Sequence, residues 1–266
     1  MPGRLFACAL GAYLAIVSTA SAQTPNWSGP VRDIDGALGE QYDGPGTSDV
    51  RLRYRPTSAA DTTLLVENVY IHDVWNQKGI DIGATVFPDR SSLVYDNVTV
   101  RHYEGARINR DEARFPGYHM DFLRVSGAGD AQATPTDVTL DDIYIHDGDA
   151  LPIIIQDGWF GTVTLRNVRI ERTSLSGVQI ATIKSGRIDH LIIEGSPGLN
   201  VALMFQPGTI GTVDVIDSDG AKVSYTEYAA LPNALPNAVA ALPEPAAMGV
   251  ALVGLLGLAR RNRRGR

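Results

Sequence analysis

Five ionisable side chains, His72, Arg101, His146, Glu171 and Glu194, each stand one place beyond the last apolar residue of a run that recurs along the chain. If the runs stack, these residues fall into one line. A histidine in such a line can move a proton near neutral pH, and an arginine beside it can stabilise developing negative charge or hold the carboxylate of a uronate. A solvated face of alternating charge is the structural reading of the same line. Asp81 and Asp121 occupy equivalent places in a second apolar pair that follows two of these runs, so stacking puts their carboxylates side by side. Carboxylates at that separation share a proton or hold a cation such as Ca²⁺. His72, Arg101, His146 and His119 are therefore the candidate catalytic residues, and Asp81 with Asp121 the candidate calcium pair.

The second run is interrupted. Residues 103–118 carry an insertion of twelve residues that includes Arg107, Arg110, Asp111, Glu112 and Arg114 and leads into His119-Met120-Asp121. A further polar loop covers 126–137. Insertions in a regular scaffold project as loops and often form the walls of a binding site. Arg107, Arg110 and Arg114 are accordingly candidate substrate-binding residues. Trp75 and Trp159, placed in turns after strands, can stack on sugar rings or simply cover the edges of coils.

The elements that must position these residues are short and β-branched, separated by Gly, Asp, Asn and Pro. Their common pattern is apolar, two residues, apolar, one residue, apolar. It occurs at Val66/Val69/Ile71, Tyr95/Val98/Val100, Leu140/Ile143/Ile145, Leu165/Val168/Ile170, Ile188/Leu191/Ile193 and Ile210/Val213/Val215. The middle positions are 29, 45, 25, 23 and 22 residues apart. Asn68, Asn97, Asp142 and Asn167 precede four of them, which marks a bend whose side chain satisfies backbone donors. A second apolar pair follows each run: Ile80/Ile82, Met120/Phe122, Ile153/Ile155, Val178/Ile180, Val201/Leu203 and Val223/Tyr225. Self-similarity at this period marks a solenoid, because one coil cannot bury its inward residues without a neighbour. A β-sandwich and a left-handed helix are the alternatives, although the six-residue period of the latter is absent.

On these repeats, residues 50–225 resemble the right-handed parallel β-helix, or pectate-lyase-like, superfamily. The resemblance implies an all-β body of six to seven coils. Lyases of that superfamily use an arginine or lysine base beside acidic calcium ligands. Their motifs do not align here residue by residue, so no catalytic role is carried over. His119 and Asp121 are similar to the His-x-Asp pairs of other β-helix proteins.

Both ends read as addresses. Arg4, an apolar run over 5–17 and Ala20-Ser21-Ala22 form a secretory signal expected to be cut after Ala22. Near the other end, Pro243-Glu244-Pro245 precedes an apolar stretch over 246–259 and the arginines 260, 261, 263, 264 and 266. Fourteen apolar residues at about 1.5 Å each make about 21 Å of helix, short of a hydrocarbon core of about 30 Å. Snorkelling arginines can extend that reach and hold the end in the cytoplasm. This order of features resembles the PEP-CTERM sorting signal. It implies export through the Sec translocon, transient membrane insertion, and processing by an exosortase in a Gram-negative bacterium that makes exopolysaccharide.

The divisions expected are a signal peptide over 1–22, a cap or irregular first coil over 23–63, the β-helix over 64–225, a Pro/Ala/Asn linker over 226–242 and the sorting tail over 243–266. Processing removes six basic residues, Arg4 and the five C-terminal arginines, and one acidic residue, Glu244. The formal charge therefore moves from −7 to −12. That excess disfavours nucleic acid and other polyanions. Cys8, the single cysteine, leaves with the signal, so neither disulfide nor thiol chemistry is expected. The sequence thus points to a monomeric surface or matrix protein that binds or organises polysaccharide. The alternative is a polysaccharide lyase or glycoside hydrolase with its site beside the first three coils.

Overall fold

The computed structural model describes residues 30–36, 50–109, 120–173, 177–181, 186–205 and 208–227. The signal peptide with Ala22, the sorting motif Pro243-Glu244-Pro245, and Arg110, Arg114 and His119 lie outside these residues. Among the described residues no helix is long and apolar enough to cross a membrane.

Strands form where β-branched and aliphatic residues alternate with polar ones. In chain order they are β1 (Arg32–Asp35), β2 (Val50–Tyr54), β3 (Thr63–Trp75), β4 (Lys78–Ile82), β5 (Thr85–Val86), β6 (Ser92–Leu93), β7 (Asn97–Asn109) and β8 (Asp121–Ser126). They continue with β9 (Thr136–Gly148), β10 (Leu151–Gln156), β11 (Phe160–Thr173), β12 (Val178–Ala181), β13 (Ile188–Glu194), β14 (Asn200–Phe205), β15 (Ile210–Ile216) and β16 (Lys222–Glu227). One seven-stranded sheet has the order β1-β3-β7-β9-β11-β13-β15, and the other β2-β4-β8-β10-β12-β14-β16. Every pairing within the two is parallel. Among the described residues only the short β5–β6 hairpin is antiparallel. The chain thus passes between the sheets and adds one strand to each at every turn. The protein is all-β, in an arrangement compatible with a parallel β-helix.

The core is a set of stacked columns between the sheets. Val66, Val100, Leu140, Leu165 and Ile193 stand in register and are all buried. Each buried aliphatic side chain of this kind contributes about 1.5–3 kcal/mol. The four longest strands are bent twice. Asn68, His102, Asp142 and Asn167 have φ of 56°, 53°, 55° and 52°, and Asp73, Arg107, Asp147 and Arg172 have φ of 55°, 52°, 57° and 49°. Asn and Asp tolerate this left-handed conformation, whereas a β-branched residue does not. Replacing Asn68 by Val is expected to cost about 1–2 kcal/mol in guanidinium unfolding, and Asn68→Gly to be close to neutral.

Three features of the expected register are corrected. Val66, Val69 and Ile71 face Val100, Tyr103 and Gly105, not Tyr95, Val98 and Val100. Likewise Ile188 and Leu191 pair with Phe160 and Val163 on β11, and Ile193 with Leu165. The apolar pattern overlaps itself at five residues: Phe160, Val163 and Leu165 satisfy it as well as Leu165, Val168 and Ile170. The second coil is harder to align because Gly105 stands where its neighbours carry isoleucine. A Cβ there would come within 2.6 Å of the Phe122 ring, so the ring fills the space a side chain at 105 would take. In the other sheet, Leu123 and Val125 pair with Ile80 and Ile82, three residues beyond Met120 and Phe122. The remaining second pairs stack as the sequence indicates.

Candidate functional site

The tetrapeptide Tyr-Ile-His-Asp occurs twice, at residues 70–73 and 144–147. In each copy the segment follows the first bend of its strand, and its aspartate, Asp73 or Asp147, forms the second. Tyr70 stacks on His72 with centroids 4.5 Å apart, and Tyr144 on His146 at 4.4 Å. His72 Nδ1 lies 2.7 Å from Asp73 Oδ2, and its Nε2 3.0 Å from Asp33 Oδ1 on the preceding coil. His146 repeats this, with Nδ1 2.6 Å from Asp147 Oδ2 and Nε2 3.0 Å from Glu104 Oε1. The following coil completes each copy. Arg107 donates to both oxygens of Asp73 at 2.5 and 2.6 Å, and Arg172 to both oxygens of Asp147 at 2.5 and 2.9 Å.

Parallel register sets this arrangement. Asp33, Tyr70, Glu104, Tyr144 and Arg169 form one column, and Asp35, His72, Ala106, His146 and Glu171 the next. Two such columns side by side place an imidazole against its own aspartate and against the acid of the coil before. Glu171 is held by Arg169, by Arg172 at 2.9 Å and by the Tyr144 hydroxyl, which donates at 3.1 Å. The Arg169 guanidinium also lies 5.3 Å from the Tyr144 ring centroid, within cation–π range.

These contacts fix the charges. The Arg107 hydrogen bonds hold the Asp73 carboxyl down at about 2, against the opposing effect of partial burial. Arg172 likewise holds Asp147 well below the ordinary carboxylate range. Burial pulls the His146 pKa down, but the hydrogen bonds to Glu104 and Asp147 together outweigh it and raise the net value. Its imidazolium satisfies two acceptors at once, which a neutral ring with one N–H cannot do.

The expected site residues divide as follows. His72 and His146 share a column, as the spacing implies. Arg101 does not join them: the self-overlapping pattern displaced it by five residues. It stands across from Glu67 and Asp141 and pairs with Glu67 at 2.6 Å. The column Glu67, Arg101, Asp141, Arg166 and Glu194 is a ladder of alternating charge. Arg107 lies on β7, not in a projecting loop, and belongs to the first Tyr-Ile-His-Asp copy. Trp75 is 61% exposed two residues past Asp73, whereas Trp159 precedes β11 at the opposite end of the sheet.

The calcium pair does not form. Asp81 faces Arg124 in the register, and Asp121 lies three residues earlier on that strand. Asp81 Oδ2 accepts from Arg55 at 2.8 Å with Arg53 at 3.6 Å, and buried Asp121 has Arg124 at 3.6 Å. Cationic neighbours occupy the places a cation would need. The group that does approach metal-binding spacing is Asp35, His72 and Asp73, with donor atoms within 4.8 Å of one another, but Arg107 already takes both Asp73 oxygens.

Sequence reasoning passed over Tyr70, Asp73, Glu104, Tyr144, Asp147 and Arg172. The verbatim tetrapeptide repeat was the signal that could have found the first, second, fourth and fifth of these.

No protein-family model matches the chain, and no solved structure matches it. Over 199 residues, 75% of its length, the chain is 25% identical to a protein named lacto-N-biosidase from Bifidobacterium longum subsp. longum. The match spans 11% of that protein's length.

Proposed function

We propose that the chain is an exported, right-handed parallel β-helix that binds glycan at the cell surface or in an exopolysaccharide matrix. The observation that carries this reading is the duplicated Tyr-Ile-His-Asp cluster. Both ring nitrogens of each histidine face carboxylates, and each aspartate is held by a bidentate arginine. Such a face is rigid and polar, with its hydrogen-bonding groups at fixed spacing. It suits recognition of a repeating polar chain better than proton transfer, which needs a nitrogen or carboxylate open to substrate. Exposed Trp75 beside it offers a platform for a sugar ring. The partial likeness to a lacto-N-biosidase supports a carbohydrate ligand. The two addresses support delivery by the Sec translocon and release by an exosortase, with the mature stretch 23–242 acting as a monomer.

A second reading is a glycoside hydrolase or lyase. Asp35 and Asp73 offer carboxylate oxygens within 4.8 Å of each other beside His72, near the separation of about 5 Å used by retaining glycosidases. Purified 23–242 incubated with a panel of neutral and acidic glycans separates the two. The binding reading expects retention in affinity electrophoresis with neither new reducing ends nor unsaturated-uronate absorbance. Product formation abolished by Asp35→Asn would replace it with the enzyme reading.

A further inference from the structure

The two Tyr-Ile-His-Asp clusters differ in what the tyrosine hydroxyl meets. In the second, Glu171 Oε2 accepts from the Tyr144 hydroxyl at 3.1 Å and from Arg172 Nη1 at 2.9 Å, so one oxygen takes both donors. Glu171 follows His146 in the register, and the residue that follows His72 in the same way is Ala106. The first cluster therefore keeps the two donors and lacks the oxygen. Tyr70 is 2% exposed, and its hydroxyl makes no hydrogen bond. Arg107 spends Nε and Nη2 on Asp73, as Arg172 spends its own on Asp147, which leaves Nη1 without a hydrogen bond among the described residues. Burial and the Glu104 charge push the Tyr70 pKa up, with Arg107 opposing them, so the phenol remains a donor at neutral pH. A buried donor without an acceptor is costly, and a guanidinium, which only donates, cannot supply one.

We propose that the first cluster binds one acceptor oxygen of a ligand where the second holds its own Glu171, and that this oxygen is the amide carbonyl of an acetamido sugar. The inference rests on the glycan-binding reading and names the sugar class. Charge selects an uncharged oxygen over the carboxylate of a uronate. Glu171 has Arg169 as a further cationic partner, whereas Glu104 takes the place of Arg169 in the first cluster. Asp33, Asp35 and Asp73 add negative charge around His72, and Arg107 is already committed to Asp73. A carbonyl oxygen brings two lone pairs for two donors, while a sugar hydroxyl also brings a proton that needs an acceptor. Arg107 and Asp73 are 29% and 34% exposed, so solvent reaches the guanidinium. Exposed Trp75, two residues beyond Asp73, can carry the sugar ring.

Titration calorimetry of the full chain with oligomers of N-acetylglucosamine, of glucosamine and of galacturonate tests this. The wild type is expected to bind the acetylated oligomers about tenfold more tightly than either of the others, the worth of one hydrogen-bonded oxygen. Tyr70→Phe removes only the hydroxyl. It is expected to weaken that binding about tenfold without lowering the unfolding midpoint of the free protein, in which the hydroxyl bonds nothing. Ala106→Glu supplies the missing carboxylate from within and is expected to abolish binding. Equal binding of the acetylated oligomers by the wild type and Tyr70→Phe would overturn the inference and leave the glycan reading standing. Tyr70-dependent binding of galacturonate instead would assign the place to an anion and overturn the choice of the amide. Binding of none of the three oligomers would overturn it as well, and only failure to retain any polysaccharide would remove the glycan reading with it.

Discussion

Phe122→Ala is expected to destabilise the protein by about 3–5 kcal/mol, the range for removing a large buried aromatic ring. Phe122 is fully buried, and its ring fills the space beside Gly105 and Gly148, where any Cβ would collide with it. Its carbonyl accepts a hydrogen bond of 2.9 Å from the hydroxyl of Tyr103, a phenol whose pKa burial pushes far up. Two glycines cannot relax into the space the ring leaves, so the cavity term is retained in full. The consequence reaches the outer face, because β7 also carries Glu104 and Arg107. Guanidinium unfolding gives the loss, and imidazole NMR signals report whether the His146 contacts loosen with it. A loss below about 1 kcal/mol would mean the ring is not the filler of the second coil.

Glu104→Gln is expected to cost about 1.5–3 kcal/mol at neutral pH, the worth of a hydrogen bond to a charged group. It also lowers the His146 pKa, since Glu104 is the leading cause that raises it. The sign of the pH dependence follows. A histidine with a raised folded pKa contributes stability fully below its unfolded value of about 6.5, and that contribution disappears as pH rises through the folded value. The wild-type protein should therefore lose stability as pH rises above about 6.5, and Glu104→Gln should show a flatter profile there. Asp73 acts in the opposite sense. Its carboxyl is held at about 2 instead of 3.8, so its contribution is present above about pH 4 and disappears as pH falls towards 2. Unfolding midpoints of both proteins across this range check the two windows separately.

How far the sequence could be read depended on what each residue type can specify. Coil period and strand content were legible because inward positions must be apolar in every turn, as at Ile153/Ile155 and Val178/Ile180. Register in the second coil was not, because Gly105 replaces an apolar residue and Tyr103 stands at the middle position. The five-residue self-overlap of the pattern then moved Arg101 into a line where it does not belong. The bend was legible in Asn68, Asp142 and Asn167 but not in the second coil, where Asn97 opens β7 and His102 fills the left-handed position without the usual signature. His72 and His146 were found from spacing alone. Their partners Asp33 and Glu104 were not, since each comes from the preceding coil and is placed only by register. The calcium pair failed for a related reason: a three-residue offset set Asp81 against Arg124.

The claim that this face recognises glycan is tested most directly by retention of purified 23–242 on a panel of immobilised neutral and acidic polysaccharides. Trp75→Ala and Trp159→Ala are compared with the wild type in that measurement. Both side chains are substantially exposed, so neither change should disturb folding, and only Trp75 adjoins the Tyr-Ile-His-Asp cluster. Retention is predicted for the wild type and for Trp159→Ala, with about tenfold weaker binding in Trp75→Ala, equivalent to about 1.4 kcal/mol of stacking. Equal retention of the two variants, or none by the wild type, would contradict the account.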